Sequence, residues 1–137
     1  MLPQIVKNTI KALLGSAGKS DPALRRAVFE RTRTGADEIP AGPPSSSALR
    51  EFVQKVDERP WTVSDDDFRK LHEAGYSEDQ IFELTVAASA GAGVRRFEAG
   101  LRALEAAAPE DEGLQIHVGS SMSLRVVDAE EKRPGGR

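Results

Sequence analysis

The sequence predicts an all-α protein, and three observations support this class. Apolar residues recur at three- and four-residue steps along most of the chain, which is the spacing of a helix. Only 5% of the residues are aromatic, so the core must be built from aliphatic side chains and close helix contacts. The 137 residues have the length of one ordinary domain, and they include no cysteine, which excludes a disulfide framework, thiolate metal sites and a thiol nucleophile from this chain.

The net charge of -3 conceals a division between two parts of the chain. Residues 1–34 carry seven Lys or Arg against Asp21 and Glu30, so their charge is +5 and that of the remainder is -8. Such a division can steer self-association or recruit an acidic partner, although two ordinary solvated helix faces are the simpler interpretation. The basic residues form no dense patch with a recognisable reading module, so we predict no nucleic-acid partner.

The sequence also predicts where the protein works. No uncharged run approaches the length of a membrane span, and no apolar segment with a cleavage site stands at the beginning. We therefore expect a soluble, cytoplasmic protein.

Residues 1–34 are predicted to form a basic pair of helices. The apolar stripe of the first helix consists of Leu2, Ile5, Val6, Ile10, Leu13 and Leu14. Because this stripe has no Trp or Phe, we expect it to pack within the protein or at a subunit contact rather than on a membrane. Asp21 followed by Pro22 is typical of a helix start, and the second helix is predicted to reach Gly35 with a strongly basic exposed face.

A linker is predicted at residues 35–47, since this Pro-, Gly- and Ser-rich stretch disfavours helix and strand alike. It separates the basic pair from a helical core at residues 48–108. The first core helix is predicted to end at Arg59-Pro60. Its apolar side consists of Leu49, Phe52, Val53 and Val56.

A short helix is predicted next, because Ser64 and Asp67 have the spacing of a capping box and Gly75 suits a left-handed C-terminal cap. The triplet Asp65-Asp66-Asp67 lacks the alternating ligands and the glycine of a calcium loop. Its acidic side chains are better explained by stabilisation of the helix dipole. We predict no metal site and no cofactor.

The central stretch, Gly75 to Ala108, is predicted to form one long helix that begins at an N-cap on Ser77, with Gln80 as its capping-box partner. One apolar strip along it consists of Phe82, Val86, Ala90, Gly93, Phe97, Leu101 and Leu104, and a second consists of Ile81, Leu84, Ala88 and Gly91. A helix that is apolar on most sides must be buried, either in the domain or at a subunit contact. Residues 87–93 have almost no side-chain bulk, so another backbone can approach them closely.

Residues 109–137 are predicted to form a β-hairpin followed by a disordered tail. The two alternating apolar sets are Leu114, Ile116 and Val118, then Met122, Leu124 and Val126. A two-stranded hairpin is marginal in water by itself, so it needs the helical body, another subunit or an incoming strand as a neighbour.

The stretch from Val63 to Phe68, VSDDDF, together with LHEAGYSEDQIFELTVAASAGAGVRRFEAGLRAL, resembles the alkylhydroperoxidase D-like and carboxymuconolactone decarboxylase family. The resembling part runs from about Ser47 to Glu105, less than half of the chain. The resemblance implies an all-helical domain that assembles through its helices into trimers or hexamers.

Active peroxidase members of that family carry a glutamate, two cysteines at fixed spacings after it, and then a histidine. If Glu83 is matched to that glutamate, the resemblance places the other three positions on Arg95, Glu98 and Arg102. Peroxide reduction by this route needs a thiolate to attack oxygen and a second thiol to resolve the sulfenic acid. This chain therefore cannot act as a thiol peroxidase by itself.

The decarboxylase branch needs an acid or base and a cation that holds an anion, not sulfur. Near the small-residue helix, the candidate catalytic residues are Glu83, Arg95, Arg96 and His72. Burial would raise the pKa of Glu83 unless a cation compensates, and the simpler interpretation is that Glu83 pairs with an arginine and helps to fix the assembly. His72 is most simply a surface residue, and His117 is expected to face solvent.

The leading hypothesis is a catalytically silent relative of this family, a homo-oligomer that acts as a scaffold or accessory subunit. It would bind protein partners through its basic N-terminal segment and its C-terminal hairpin. The alternative is a cofactor-free lyase or hydrolase that acts on a small acidic substrate, with Glu83 as acid or base and Arg95 or Arg96 as anion holder. A third possibility is an accessory subunit of a redox assembly whose cysteines or metals lie on other chains.

Overall fold

The computed structural model describes residues 2–36 and 47–108, and within these ranges the chain is all-helical, which confirms the predicted class. The helices are α1 (Gln4–Gly15), α2 (Pro22–Thr34), α3 (Ser47–Glu58), α4 (Asp65–Glu73) and α5 (Glu78–Ala107), with a 3-10 turn at Pro60–Thr62. Most of the predicted linker and all of the predicted hairpin and tail lie outside the described residues.

The helix starts follow the predicted capping signals. The Asp21 side chain accepts a hydrogen bond from the backbone N–H of Ala23 at the beginning of α2. Ser77 and Gln80 form the capping box of α5, in which each side chain satisfies the other residue's backbone N–H. Since these donors have no partner inside the helix, the caps fix where α2 and α5 begin.

Asp67 joins the beginning of α4 to α3. Its carboxylate accepts hydrogen bonds from Ser64 in the predicted capping box and from Lys55 Nζ at 2.6 Å. Burial opposes the charged form of Asp67, but the hydrogen bonds from Lys55 and Ser64 outweigh it and hold the pKa below its ordinary value. The predicted left-handed cap follows α4, where Gly75 has a φ of 98°.

One apolar core joins the N-terminal helices to the rest of the domain. It draws on α1, α2, α3, α4 and α5, and its largest fully buried apolar side chains are Phe52, Leu49, Leu71, Leu84, Val28 and Val53. The most extensive helix contact is between α2 and α5. The basic helical pair and the predicted helical core therefore fold as one packed unit.

Gly91 is the point where α2 and α5 come closest. A Cβ atom on Gly91 would lie 2.1 Å from Thr32 Oγ1 and 2.2 Å from the backbone oxygen of Phe29, far inside van der Waals contact. The bulk-free run of α5 thus admits the backbone of α2, as the sequence predicts.

The two apolar strips of α5 have different surroundings. The inner face of α5, as we name it, is buried and consists of Ile81, Leu84, Ala87, Ala88, Gly91, Ala92 and Val94. The outer face of α5 consists of nine uncharged residues: Phe82, Val86, Ser89, Ala90, Gly93, Phe97, Gly100, Leu101 and Leu104. Among the described residues of one copy only the inner face is buried, so residues 2–36 and 47–108 do not provide the cover that the composition of the outer face predicts.

The predicted basic surface of α2 is smaller than the sequence suggests, because Arg25 is buried. Only 2% of Arg25 is exposed, and its guanidinium donates to the backbone oxygens of Leu13 and Ser16. These carbonyls lie at the end of α1, where a cation interacts favourably with the helix dipole. Arg25 therefore holds α1 against α2 instead of presenting charge to a partner.

Candidate functional site

Glu83 is bound by the segment that connects α1 to α2. Its carboxylate accepts hydrogen bonds from the backbone N–H groups of Lys19 and Ser20, each at 2.8 Å, and from the Ser20 hydroxyl. Gly18 permits this approach, since a Cβ atom there would lie 2.7 Å from the Glu83 carboxylate. Glu83 thus acts as a latch that attaches the segment before α2 to α5.

These contacts determine the charge of Glu83. The hydrogen bonds from the Ser20 hydroxyl and from the Lys19 and Ser20 amides lower the pKa of Glu83 to about 2, against an ordinary value of 4.5. The charge of Arg25 contributes a smaller lowering. A carboxylate with so low a pKa is a weak base and donates no proton near neutral pH.

A small pocket lies beside Glu83, and Arg25 is also in its lining. Its volume is about 100 Å³, whereas small-molecule sites typically measure about 300 to 1,000 Å³. The nearest guanidinium to Glu83 here belongs to Arg25, which is already bound to carbonyl groups. Neither Arg95 nor Arg96 lines this pocket.

Arg95 and Arg96 both bind Asp57 near the end of α3. Arg95 holds the carboxylate with both Nη atoms, at 2.6 and 3.1 Å, and also donates to the backbone oxygen of Thr32 at 2.8 Å. Arg96 donates to the backbone oxygen of Asp57. This network joins α2, α3 and α5, so both cations are occupied by structural contacts.

His72 lies in α4 and forms no hydrogen bond to Asp57, Arg95 or Arg96 among the described contacts. Its Nδ1 lies 3.0 Å from the backbone oxygen of Tyr76, across the turn that ends at α5. A groove of about 370 Å³ passes beside it, and its other lining residues are Phe68, Glu78, Ile81, Phe82 and Thr85. The groove extends the apolar surface of α5 towards α4.

The structure therefore distributes the four predicted catalytic residues over three places. Glu83 and Arg95 are twelve residues apart on one helix, or about 18 Å along its axis. Among the described residues, no group of three or more His, Asp or Glu side chains could hold a metal ion.

The outer face of α5 is the feature that the contacts within one copy leave unexplained. Phe82 is 69% exposed, Leu104 48% and Phe97 42%. From Phe82 to Leu104 the face is about 33 Å long at 1.5 Å per residue, and a helix is about 10 Å wide. An exposed apolar patch of roughly 300 Å² is as large as the largest patch of many monomers, and such a patch is often functional.

The contacts of the described residues also do not explain why this face has glycine at positions 93 and 100. A Cβ atom on Gly93 or Gly100 would meet no heavy atom of the described residues within 4 Å, unlike one on Gly91. Each glycine weakens a helix by about 1 kcal/mol relative to alanine. Within residues 2–36 and 47–108 of one copy, nothing near Gly93 or Gly100 requires the missing side chain.

Sequence reasoning missed three functional side chains of this framework, namely Asp57, Ser20 and Arg25. Asp57 follows the apolar residues of α3, at a position that the sequence pattern assigns to solvent. Its role in holding Arg95 is visible only in the folded structure. The serine before Asp21-Pro22 was a possible signal for the latch, because backbone N–H groups before a helix are free to bind a carboxylate.

The residues that the structure describes form an all-helical fold in which α5 is buried on its inner face and exposes an apolar outer face. Among the described residues, no helix is both long and apolar enough to cross a membrane. Comparison with known protein families finds no match, and neither a characterised protein nor a solved structure matches the chain. The resemblance to the alkylhydroperoxidase D-like family thus rests on the residues quoted above.

Proposed function

We propose that this protein is a catalytically silent helical homo-oligomer that serves as a scaffold or accessory subunit, and that its copies associate through the outer face of α5. The observation that carries the proposal is the exposure of Phe82, Phe97 and Leu104 along one uncharged helix face. Burying large apolar side chains is the main favourable term in most protein association. A trimer or hexamer, which the family resemblance implies, remains a prediction.

The engagement of the candidate catalytic residues also supports a silent protein. Glu83 is committed to the latch, and Arg95 and Arg96 are committed to Asp57. A lyase of the decarboxylase type would need an acid or base beside a free cation. The low pKa of Glu83 and the small adjoining pocket both argue against that alternative.

Self-association can be tested with Phe97→Glu. The variant places a carboxylate on the outer face, and burying that charge against a second copy is unfavourable. We expect the unchanged protein to sediment as an oligomer and Phe97→Glu to sediment as a monomer with the same helical circular dichroism. Because Phe97 is 42% exposed, a single copy should tolerate the change.

The matched control is Arg102→Glu, which adds a carboxylate to the same helix five residues further on, at an exposed position away from the outer face. It should keep the oligomer mass. A monomeric unchanged protein, or a Phe97→Glu variant with the full oligomer mass, would contradict the proposal. Copurification of the untagged protein from its source then shows whether it also carries a different partner.

A further inference from the structure

We infer that the outer face of α5 binds the same face of a second copy in an antiparallel pair, with Gly93 at the two-fold axis. This inference rests on the proposed self-association and specifies its geometry. In such a pair each residue before Gly93 lies opposite the residue equally far after it in the partner, because a two-fold interface is self-complementary.

The middle of the face suits this pairing. Gly93 meets itself, and since it lacks a side chain the two helices can approach closely. Phe97, four residues after Gly93, comes to the level of Ser89 in the partner, with Ala90 beside it. A large side chain therefore meets two small ones.

The ends of the outer face also suit the antiparallel pairing. Val86, seven residues before Gly93, lies opposite Gly100, seven residues after it. Phe82 and Leu104, each eleven residues from Gly93, lie opposite each other and close the two ends of the contact. Gly100 thereby acquires a neighbour that no contact within one copy provides.

The charges of α5 favour the antiparallel direction over the parallel one. A parallel pair would place the acidic first turns, Glu78 and Asp79, beside those of the partner and would align the two helix dipoles. In the antiparallel pair the two Asp79 residues are about 42 Å apart at 1.5 Å per residue, which exceeds the Debye length of about 8 Å at physiological ionic strength. A parallel pair would also set Phe97 against Phe97 instead of against small residues.

The size of the face sets the expected strength. Interfaces that bury less than about 1,200 Å² in total are typical of weak associations. The narrow outer face falls in that class, so we expect the association to be weak. Measurements should therefore extend to a few hundred micromolar protein.

Single cysteines can test the register, because the natural chain has none. The variants are Gly93→Cys, Phe82→Cys and Leu104→Cys in the full chain, each oxidised under mild conditions at a concentration where the protein associates. A disulfide needs Cα atoms about 4.4 to 6.8 Å apart. A Cβ atom at Gly93 meets none of the described residues of its own copy, so this variant should fold.

We expect Gly93→Cys to form a disulfide-linked dimer by itself. Phe82→Cys should form little by itself, because its two copies lie about 33 Å apart along the axis, but it should form a mixed dimer with Leu104→Cys. Arg102→Cys, exposed away from the outer face, controls for random collisions and should stay unlinked.

The opposite results separate this inference from the proposed function. If Phe82→Cys links to itself efficiently, the copies pair in parallel; if no variant links although the protein is oligomeric, another surface is used. Either result overturns the antiparallel register and leaves self-association intact. If the unchanged protein is monomeric, both ideas fail. A monomeric Gly93→Cys protein whose thiol resists alkylation would show that residues 109–137 cover the face instead.

Discussion

The two faces of α5 have similar compositions and different relations to the rest of the chain. The inner face is explained by contacts within one copy, since Leu84, Ala87 and Ala88 are at most 1% exposed and Gly91 admits the backbone of α2. On the outer face Ala90 packs against the core, but Phe82, Phe97 and Leu104 are exposed. The comparison teaches that small and apolar residues on a helix indicate a contact but do not indicate whether that contact lies within the chain or between chains.

The largest expected effect comes from Gly91→Ala on the inner face. The new methyl group would overlap Thr32 and the Phe29 carbonyl, so α2 and α5 must separate. We expect the free energy of unfolding to fall by about 3 kcal/mol or more. Urea unfolding followed by circular dichroism at low protein concentration measures it. A stability loss below 1 kcal/mol would show that the two backbones are not in contact at Gly91.

Asp57→Ala tests the network in which Asp57 of α3 binds Arg95 and Arg96 of α5. Arg95 would lose its carboxylate while remaining largely covered, so we expect a loss of about 2 to 4 kcal/mol. Asp66→Ala is the matched control, because Asp66 forms exposed ion pairs with Arg69 and Lys70. Removing such exposed pairs should change stability far less than Asp57→Ala does, because solvent screens them. Equal losses in the two variants would contradict the structural role of Asp57.

The Glu83 latch predicts a dependence of stability on pH. Its pKa is about 2 in the folded protein and near 4.5 when unfolded, so the folded state favours the charged form. This contribution is complete above about pH 4.5 and is lost as the pH falls towards 2. Glu83→Gln should lower stability at neutral pH by about 1 to 2 kcal/mol and should flatten the decline between pH 4.5 and 2.

Unfolding free energies of the two proteins between pH 2 and 7 measure this effect. Ser20→Ala is the intermediate case, because it keeps the carboxylate and the two amides but removes the hydroxyl donor. The pKa of folded Glu83 should rise in that variant, so stability should decline over a narrower range of pH below 4.5. If the unfolding free energies of the unchanged protein and Glu83→Gln depend on pH in the same way, the Glu83 latch does not stabilise the fold.

The smallest expected effect is Gly93→Ala on the outer face, two residues from Gly91. At concentrations too low for association, the methyl group meets no other residue, so the higher helix propensity of alanine should raise stability by about 0.5 to 1 kcal/mol. Sedimentation at higher concentration should show weaker association. The opposite signs of Gly91→Ala and Gly93→Ala provide the sharpest test of the difference between the two faces.

Local signals predicted most of the helical framework. Asp21, Ser77 and Gly75 marked helix ends correctly, because capping depends on a few neighbouring residues and on backbone conformation. The small run of α5 correctly predicted a close backbone approach. The sequence did not predict which helix packs against this run, because any helix of suitable shape can do so.

The sequence predicted the candidate residues less well than the framework. Glu83 was expected to pair with an arginine, and its carboxylate is held by the Lys19 amide and by the amide and hydroxyl of Ser20. Arg25 was counted in the basic surface and is instead buried at the end of α1. A charged residue's partner depends on which segments the fold brings together, and helical periodicity contains no information about that.

By itself, the sequence determined the all-helical class of the described residues, the ends of the principal helices and the lack of cysteine, since these follow from periodicity, capping and composition. Only the tertiary structure decided that α2 occupies the inner face of α5 and that Asp57, Arg95 and Arg96 form one network. The physical reason is that helix formation is governed by residues a few positions apart, whereas packing and charge pairing depend on residues brought together from distant parts of the chain.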